Sequence, residues 1–265
     1  MDSPIVTLTT DWGYQDYFAG MVKGWLFTHI PNVRVVDITH GLEPFQLGKA
    51  IFVVEHACMG FPAGTIHIID ATSRYDNNPF VVVEHNGQYY ICMDNGLPCA
   101  LFGGGADHAV TVTAVGYDEK DFSTFAAYDI YCRVAAMLAD GATMAEIGSP
   151  LEAFCPYTPN NPVSVNDKLR VYVAYIDDYG NAILNITYEE FEKNRAGRKF
   201  ELWVRENSLT EVVKRYSDAK VAGNDRGALL LTVSATGYLQ IAMRLYSAQQ
   251  YFGLRVHESL TIRFY

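Results

Sequence analysis

The spacing of hydrophobic positions alternates between two periods along the first half of the chain. Short β-prone runs that begin at Ile5, Val33 and Thr65 alternate with amphipathic stretches of helical spacing, the first of which stops at Pro31. Farther along, two β-prone runs flank an Asn-Gly pair at 86–87, which is typical of a β-hairpin. Strands that alternate with helices predict an α/β domain with a mainly parallel central sheet.

The pattern changes in the second half of the chain. A segment rich in proline and asparagine, 155–167, carries no periodicity and is typical of a domain linker. After it come many short strand-like runs and one short helix near 188–194, which predict a smaller, mainly β, barrel-like domain. We therefore expect an α/β N-terminal domain at 1–154 and a β-barrel-like C-terminal domain at 168–265.

Composition and charge narrow the classes of partner. The chain has 265 residues, of which 49% are hydrophobic, and a formal net charge of -10. An acidic surface repels phosphate backbones, so we expect no nucleic-acid partner. The sequence shows neither a signal-peptide pattern nor an apolar run long enough to cross a bilayer, and we expect a cytoplasmic protein with no membrane partner. Its cysteines and histidines lack zinc-site spacing, so no metal is expected.

Polar side chains follow three of the predicted strands, where ligands bind in parallel sheets. Asp11 follows the first strand, and an ionised acid there can accept two hydrogen bonds from a ribose diol. Asp16 stands at the start of the first helix and is either a ligand contact or a helix N-cap. His40 is either a ligand group or a structural histidine. Asp70 is either a base, if burial raises its pKa, or a loop acid that caps backbone amides.

Six motifs occur in a fixed order along nearly the whole chain. They read T-T-D-W-G-Y-Q-D, V-D-I-T-H, F-P-A-G-T-I-H-I-I-D, D-N-G-L, T-F-x-x-x-D and I-D-D-Y-G-N-A-I-L-N-I. This series resembles the S-adenosylmethionine (SAM) hydroxide adenosyltransferases, which belong with the fluorinases and chlorinases. The resemblance implies a homotrimer with inter-subunit sites, each ligand lying between the N-domain of one subunit and the C-domain of the next. It implies SAM as substrate or ligand and no separate cofactor.

Matching the motifs position by position implies roles for individual side chains. Asp11 would hold the ribose hydroxyls, Asp16 the methionine amino group and Asn181 the adenine. The resemblance implies further substrate-binding positions, which line the pocket, contribute from the second domain or approach the methionine end. These positions are Phe45, Ser73, Asn95, Phe125, Asp177, Tyr179, Ser234 and Ala235.

The chain departs from the pattern of the hydrolases at the groups that bind and polarise water. Asp70 occupies the position of the hydrolases' aspartate, but Asn77 occupies the arginine position and Ala126 the histidine position. Loss of one acid–base group typically costs roughly 10²–10⁴ in rate. Arg74, in the same loop as Asn77, or Tyr128, near the lost histidine, would be the replacements within reach.

Three functions remain open from the sequence. The first is hydrolysis of SAM to adenosine and methionine by displacement at the ribose C5′, at a reduced rate. The second is a non-catalytic protein that binds SAM or adenosine. The third is an enzyme with a different nucleophile or nucleoside substrate, although an ionised Asp70 would repel a halide at contact distance.

Overall fold

The structure is a computed structural model, and its described part has two compact units. These units are Met1–Thr158 and Pro159–Tyr265. None of the helices in the described part is long and apolar enough to cross a membrane. The described residues are 3–44, 46–71, 78–116, 124–219 and 227–265.

The N-terminal unit alternates strands with helices in its first half, as the hydrophobic pattern predicts. The strands are β1 (Ile5–Thr10), β2 (Arg34–Thr39), β3 (Ile66–Asp70), β4 (Phe80–His85), β5 (Gln88–Met93), β6 (His108–Val112) and β7 (Gly148–Pro150). The helices are α1 (Phe18–His29), α2 (Leu47–Ala57), α3 (Leu97–Phe102), α4 (Cys132–Ala139), which a π-helical turn at Ala127–Tyr131 precedes, and α5 (Met144–Ile147).

These strands form one mixed sheet in the order β2-β1-β3-β5-β4-β6-β7. The pairs from β2 to β5 are parallel, and those from β5 to β7 are antiparallel. The α/β class is confirmed, but the parallel part is one half of the sheet. The predicted hairpin accounts for the antiparallel pair β4–β5: Asn86 and Gly87 have φ of 51° and 70°, and so short a turn can only join antiparallel strands.

Helices cover both faces of this sheet. One apolar cluster includes Leu8 and Ile68 from the strands with Leu26 of α1 and Val134 of α4. The other face includes Ile69, next along β3, together with residues of α2 and α3. Every residue of β3 is buried, as expected for a parallel strand covered on both sides. Polar groups therefore find room mainly where the strands end.

The C-terminal unit is built mainly from short strands. These strands are β8 (Val163–Val165), β9 (Lys168–Ile176), β10 (Ala182–Thr187), β11 (Phe200–Val204), β12 (Asn207–Leu209), β13 (Leu229–Val233), β14 (Tyr238–Met243) and β15 (Ser259–Phe264). Between them lie α6 (Tyr188–Arg195), a 3₁₀ turn (Tyr216–Asp218) and α7 (Ala248–Phe252).

The strands of this unit form an antiparallel sheet that curls into a nearly closed barrel. Their order is β12-β11-β15-β9-β10-β14-β13, and β8 also pairs with β9. The segment after β12 returns to the far edge, where the backbone N–H of Val213 donates to the carbonyl of Leu231 on β13 at 2.9 Å. Phe191 of α6 fills the interior against Phe200, with ring centroids 5.0 Å apart. The predicted barrel-like domain is confirmed.

A buried polar network joins β1, β3 and β5. His67 is fully buried; its Nδ1 lies 2.7 Å from the hydroxyl of Thr7, and its Nε2 lies 3.1 Å from Oε1 of Gln88. The ring of Tyr90 stacks on His67 at 4.6 Å. Burial lowers the pKa of His67 to about 4, although the hydrogen bond with Gln88 opposes this shift. The imidazole is therefore neutral at neutral pH.

We expect the folded protein to lose stability on acidification because of His67. Above the ordinary histidine pKa of 6.5, the ring is neutral in both the folded and the unfolded protein. Between pH 6.5 and about 4, only the unfolded protein binds a proton at this histidine, so protonation favours unfolding. The loss amounts to roughly 3 kcal/mol by pH 4. Urea unfolding across this range measures it. His67→Gln should flatten the profile, whereas His108→Gln, at a histidine with a largely exposed side chain, should leave its slope unchanged. An equally steep profile in both variants would contradict this origin.

Candidate functional site

Three parallel strands bring their carboxyl ends to one edge of the N-terminal sheet. The register of β1 pairs Thr10 with Asp70 of β3, and Thr9 with Thr39 of β2. Beyond the strands, the backbone N–H of Asp11 donates to the carbonyl of Asp70 at 3.2 Å. The three predicted polar clusters are therefore neighbours at this edge.

Asp70 is held at this edge by the side chain of Trp12. The carboxylate belongs to a residue that is only 5% exposed, and the indole Nε1–H of Trp12 donates to its Oδ2 at 2.8 Å. The Trp12 ring stacks on His40, with centroids 5.7 Å apart and planes inclined by 17°. The edge of Phe125 lies against the same ring at 5.1 Å. Asp70 thus has a fixed donor that is itself packed on two sides.

His40 is a structural histidine here. It is 2% exposed, and its Nδ1 lies 2.7 Å from the hydroxyl of Thr10. Its Nε2 lies 3.1 Å from Oδ1 of Asp37, whose Oδ2 accepts from Lys23 at 2.5 Å. Partial burial raises the pKa of Asp37, but the hydrogen bonds and charges of Lys23 and His40 outweigh it and lower the pKa overall. The ring is therefore fixed beside Trp12.

The remaining polar residues at this edge differ in exposure. Asp11 is half-buried beside Trp12, whereas Asp16 is exposed and its Oδ1 accepts from the backbone N–H of Tyr17 at 2.8 Å. Tyr17 is the N-cap of α1, so the N-cap interpretation of Asp16 is wrong. Asn95 follows β5, and its Nδ2 donates to the carbonyl of Ala71 at 3.2 Å. That contact ties the end of β5 to the residue after Asp70.

The segment that carries Phe125 leads into the π-helical turn. The backbone N–H groups of Tyr128 and Asp129 both donate to the carbonyl of Phe125 at 3.1 Å. Phe125 also packs on Phe18 of α1, with centroids 4.8 Å apart. Ala126 and Tyr128 are both half-buried. Single π-helical turns are frequent at functional sites, and this one begins directly beside the aromatic contact to Trp12.

Four predicted site residues lie outside the described part of the chain and stay predictions. They are Phe45, Ser73, Arg74 and Asn77.

The C-terminal unit carries a second group of predicted residues, in the tight turn between β9 and β10. Asp177 is half-buried, and its two oxygens accept from the backbone N–H and from Nδ2 of Asn181, each at 2.8 Å. Asn181 is 6% exposed, whereas Tyr179 at the tip is 82% exposed. Because Nδ2 must face the carboxylate, the amide has a fixed orientation in which its Oδ1 points away from Asp177.

A cavity of about 580 Å³ opens beside this turn within the C-terminal unit. Burial raises the pKa of the Tyr216 hydroxyl, and the charge of Asp177 adds to it, while hydrogen bonds from Gln240 and Asn181 oppose the shift. Nε2 of Gln240 donates to this hydroxyl at 2.6 Å. The hydroxyl is therefore neutral and keeps its own proton for donation. The residues that line the cavity include Tyr179, Asn181, Tyr216, Met243, Tyr246 and Ser247.

Ser234 and Ala235 belong to a different part of the same unit. The hydroxyl of Ser234 accepts from the backbone N–H of Tyr238 at 3.2 Å within the turn between β13 and β14. In the register of β10 with β14, Tyr238 pairs with Thr187, whereas Ala182, next to Asn181, pairs with Ile241. The Ser234 turn therefore lies at the opposite end of β10 from Asn181.

Comparison with known proteins identifies the family. A model of the SAM hydroxide adenosyltransferase N-terminal domain matches residues 6–148, and one of the C-terminal domain matches residues 171–261. The chain belongs to the SAM hydroxide adenosyltransferase family. The candidate residues Asp11, Asp70 and Asn181 all fall within the matched regions.

Relatives of this family member include proteins named for two reactions. The (R)-S-adenosyl-L-methionine hydrolase of Methanocaldococcus jannaschii is 23% identical over 90% of this chain and 88% of its own. The fluorinase of Nocardia brasiliensis is 23% identical over 98% of this chain and 97% of its own. An uncharacterized conserved protein from Thermotoga maritima has a similar crystal structure, with a TM-score of 0.84, 26% identity, and coverage of 98% and 99% of the two chains.

Several neighbours of the candidate residues in this chain were not expected from the sequence. Trp12 stands inside the first motif, and an N–H-bearing ring directly after Asp11 was the available signal. Nothing in the sequence marks Tyr216 and Tyr246, because the chain holds 18 tyrosines and these two stand in no motif. Gln240 likewise stands in no motif.

We expect Gly180→Ala to disrupt the turn that orients Asn181. Gly180 has φ of +76°, and a Cβ there would lie 1.9 Å from Oγ and 2.7 Å from Cβ of Ser247. Left-handed strain and the clash together should lower the free energy of unfolding by about 3 kcal/mol, as chemical denaturation measures. Gly237→Ala is the control, because φ is +84° but no atom lies within 4 Å of its added Cβ. Equal losses in both variants would show that the contact with Ser247 is unimportant.

Proposed function

We propose that this protein hydrolyses SAM to adenosine and methionine by displacement at the ribose C5′. The observation that carries the proposal is the buried carboxylate of Asp70, which accepts from Trp12 at the sheet edge that also presents Asp11. The hydrolase relatives support the same reaction. The catalytic group that we propose is Asp70 with Arg74 and Asn77.

The reaction needs little covalent chemistry from the protein. A water oxygen forms the new bond to C5′ while the bond from C5′ to sulfur breaks and its electron pair leaves with neutral methionine. The carboxylate of Asp70 takes the proton that the water loses, as a general base. The protein's task is to hold the sulfonium, C5′ and water in line and to exclude other solvent.

The nucleoside contacts that we propose follow the roles that the family resemblance implies. Asp11 accepts hydrogen bonds from the two ribose hydroxyls. Asn181 presents Oδ1 as an acceptor that suits the exocyclic amine of adenine, and Tyr179 supplies an exposed ring for stacking. The neutral hydroxyl of Tyr216, which lines the same cavity as Tyr179 and Asn181, adds a hydrogen-bond donor.

The family resemblance supports two further proposals. The first is a homotrimer with inter-subunit sites. The second assigns the remaining substrate contacts, along the pocket and toward the methionine end, to Asp16, Phe45, Ser73, Asn95, Phe125, Asp177, Ser234 and Ala235.

A specific observation favours one alternative, a non-catalytic SAM-binding protein. Ala126 stands where the hydrolase pattern has histidine, and a methyl group moves no proton. A halide nucleophile is less favourable than water, because the carboxylate of Asp70 would repel it. The alternative keeps the nucleoside contacts and removes only turnover.

Product analysis distinguishes the two functions. Purified protein is incubated with SAM, with and without chloride, and the products are separated by chromatography. We expect adenosine and methionine in equal amounts, with no dependence on chloride, and a rate that falls roughly 10²-fold or more in Asp70→Asn.

Asp107→Asn is the matched control for this experiment. Its carboxylate accepts from the backbone N–H of Asn86, beside the hairpin at the other edge of the sheet, so its rate should equal that of the wild type. If SAM stays intact but its binding raises the melting temperature of the protein, the non-catalytic function is supported instead. Intact SAM without stabilisation would refute both.

We expect Asp11→Ala to weaken SAM binding. The substitution removes a charged acceptor for two hydroxyls, which should raise Kd by roughly 10- to 100-fold. Calorimetry in the Asp70→Asn background measures Kd without turnover, and Asp107→Ala in that background should match its parent. An unchanged Kd in Asp11→Ala would disprove the ribose assignment.

A further inference from the structure

The indole of Trp12 links the candidate base to the rest of the sheet edge. Its Nε1–H donates to Oδ2 of Asp70 at 2.8 Å, across 58 residues of sequence. A donor that points at a carboxylate makes a charge-assisted hydrogen bond, which is stronger and more directional than one between neutral groups. The contact therefore fixes the position of one Asp70 oxygen.

The position of Trp12 is fixed in turn by packing on two sides. His40 stacks on its ring at 5.7 Å, and Phe125 meets the ring edge-on at 5.1 Å. The backbone N–H of Gly13, the next residue, donates to the carbonyl of His40 at 2.7 Å. Neither the ring nor its backbone can move without disturbing the end of β2. Trp12 thus ties the carboxylate of Asp70 to the packed end of β2.

The chemistry of the donor suits a carboxylate that must accept a proton. A cationic donor bonded to Oδ2 in place of the indole would stabilise the ionised form further and make Asp70 a weaker base. An indole is neutral and cannot itself be protonated or deprotonated near neutral pH, so it orients the carboxylate with a smaller effect on its basicity. Trp12 therefore differs from a lysine or arginine at this position, which would form an ion pair with Asp70.

We propose that Trp12 is the positioning residue of Asp70 and holds its carboxylate in the orientation that takes the proton from water. The part that concerns the reaction rests on the proposed hydrolysis, whereas the hydrogen bond is a property of the protein alone. Trp12 acts through Asp70, so its loss should lower kcat more than it weakens SAM binding.

The hydrogen bond is tested by NMR on protein with ¹⁵N-labelled tryptophan. The chain has 3 tryptophans, and Trp12→Phe identifies the signal of Trp12 by its absence. We expect the indole N–H proton of Trp12 to resonate downfield of those of Trp25 and Trp203. Asp70→Asn replaces the charged acceptor by a neutral one and should move this signal upfield more than either of the others. A Trp12 signal that does not respond would overturn the proposal.

The effect on the reaction is tested with Trp12→Phe, which keeps an aromatic ring and removes the donor. We expect kcat to fall about tenfold or more, with Kd for SAM within about twofold of the wild type. Trp25→Phe is the matched control; its ring stacks on His29 at 3.9 Å, and both constants should stay unchanged. A Trp12→Phe variant that folds and keeps the full kcat would refute the positioning role.

The two proposals fail in different ways. If the wild type leaves SAM intact, the proposed hydrolysis is wrong, and the NMR experiment alone decides whether Trp12 holds Asp70. If the wild type turns over SAM but Trp12→Phe does so equally fast, hydrolysis stands and the positioning role is wrong. Thermal unfolding of Trp12→Phe excludes misfolding as the cause of a low rate; should that variant unfold, the response of the Trp12 signal to Asp70→Asn decides.

Discussion

The parallel pairing of β1 with β2 and β3 is the constraint on which the N-terminal unit depends. Parallel neighbours need crossover helices, and these helices cover both faces of the sheet. The interior of β3 is therefore buried throughout; apart from His67, which is satisfied by Thr7 and Gln88, its residues are apolar until Asp70 at its end. Because all three strands run in one direction, their ends meet, and polar groups that the faces would exclude collect at one edge. The position of the candidate site follows from strand direction.

Burial at this edge requires that its polar groups satisfy one another. The hydroxyl of Thr10 pairs with His40, the other nitrogen of His40 lies against Asp37, and Trp12 donates to Asp70. Each such bond contributes only about 1 kcal/mol net, but a buried group that loses its partner costs more than that. The network therefore fixes geometry more than it adds stability. That rigidity is what a base needs if it is to meet a water molecule at a defined angle.

The C-terminal unit orients its polar groups through a tight turn. Gly180 takes a positive φ that lets the chain close, and Asp177 holds the amide of Asn181 with both oxygens. In the C-terminal unit the carboxylate of Asp177 fixes the amide of Asn181. In the N-terminal unit the indole of Trp12 fixes the carboxylate of Asp70.

The sequence by itself determined the elements whose cause is local. Hydrophobic period predicted the α/β and barrel-like halves, Asn-Gly predicted the hairpin, and a carboxylate after a buried strand marked Asp70. The hydrophobic pattern did not predict helix α3, because six residues are too few to show a helical period. Only the tertiary structure decided that antiparallel pairing continues beyond the hairpin to β6 and β7, that His40 is structural and that Trp12 meets Asp70. The contacts of Thr10 with His40 and of Trp12 with Asp70 span 30 and 58 positions, and they depend on strand order and register, which no local pattern encodes.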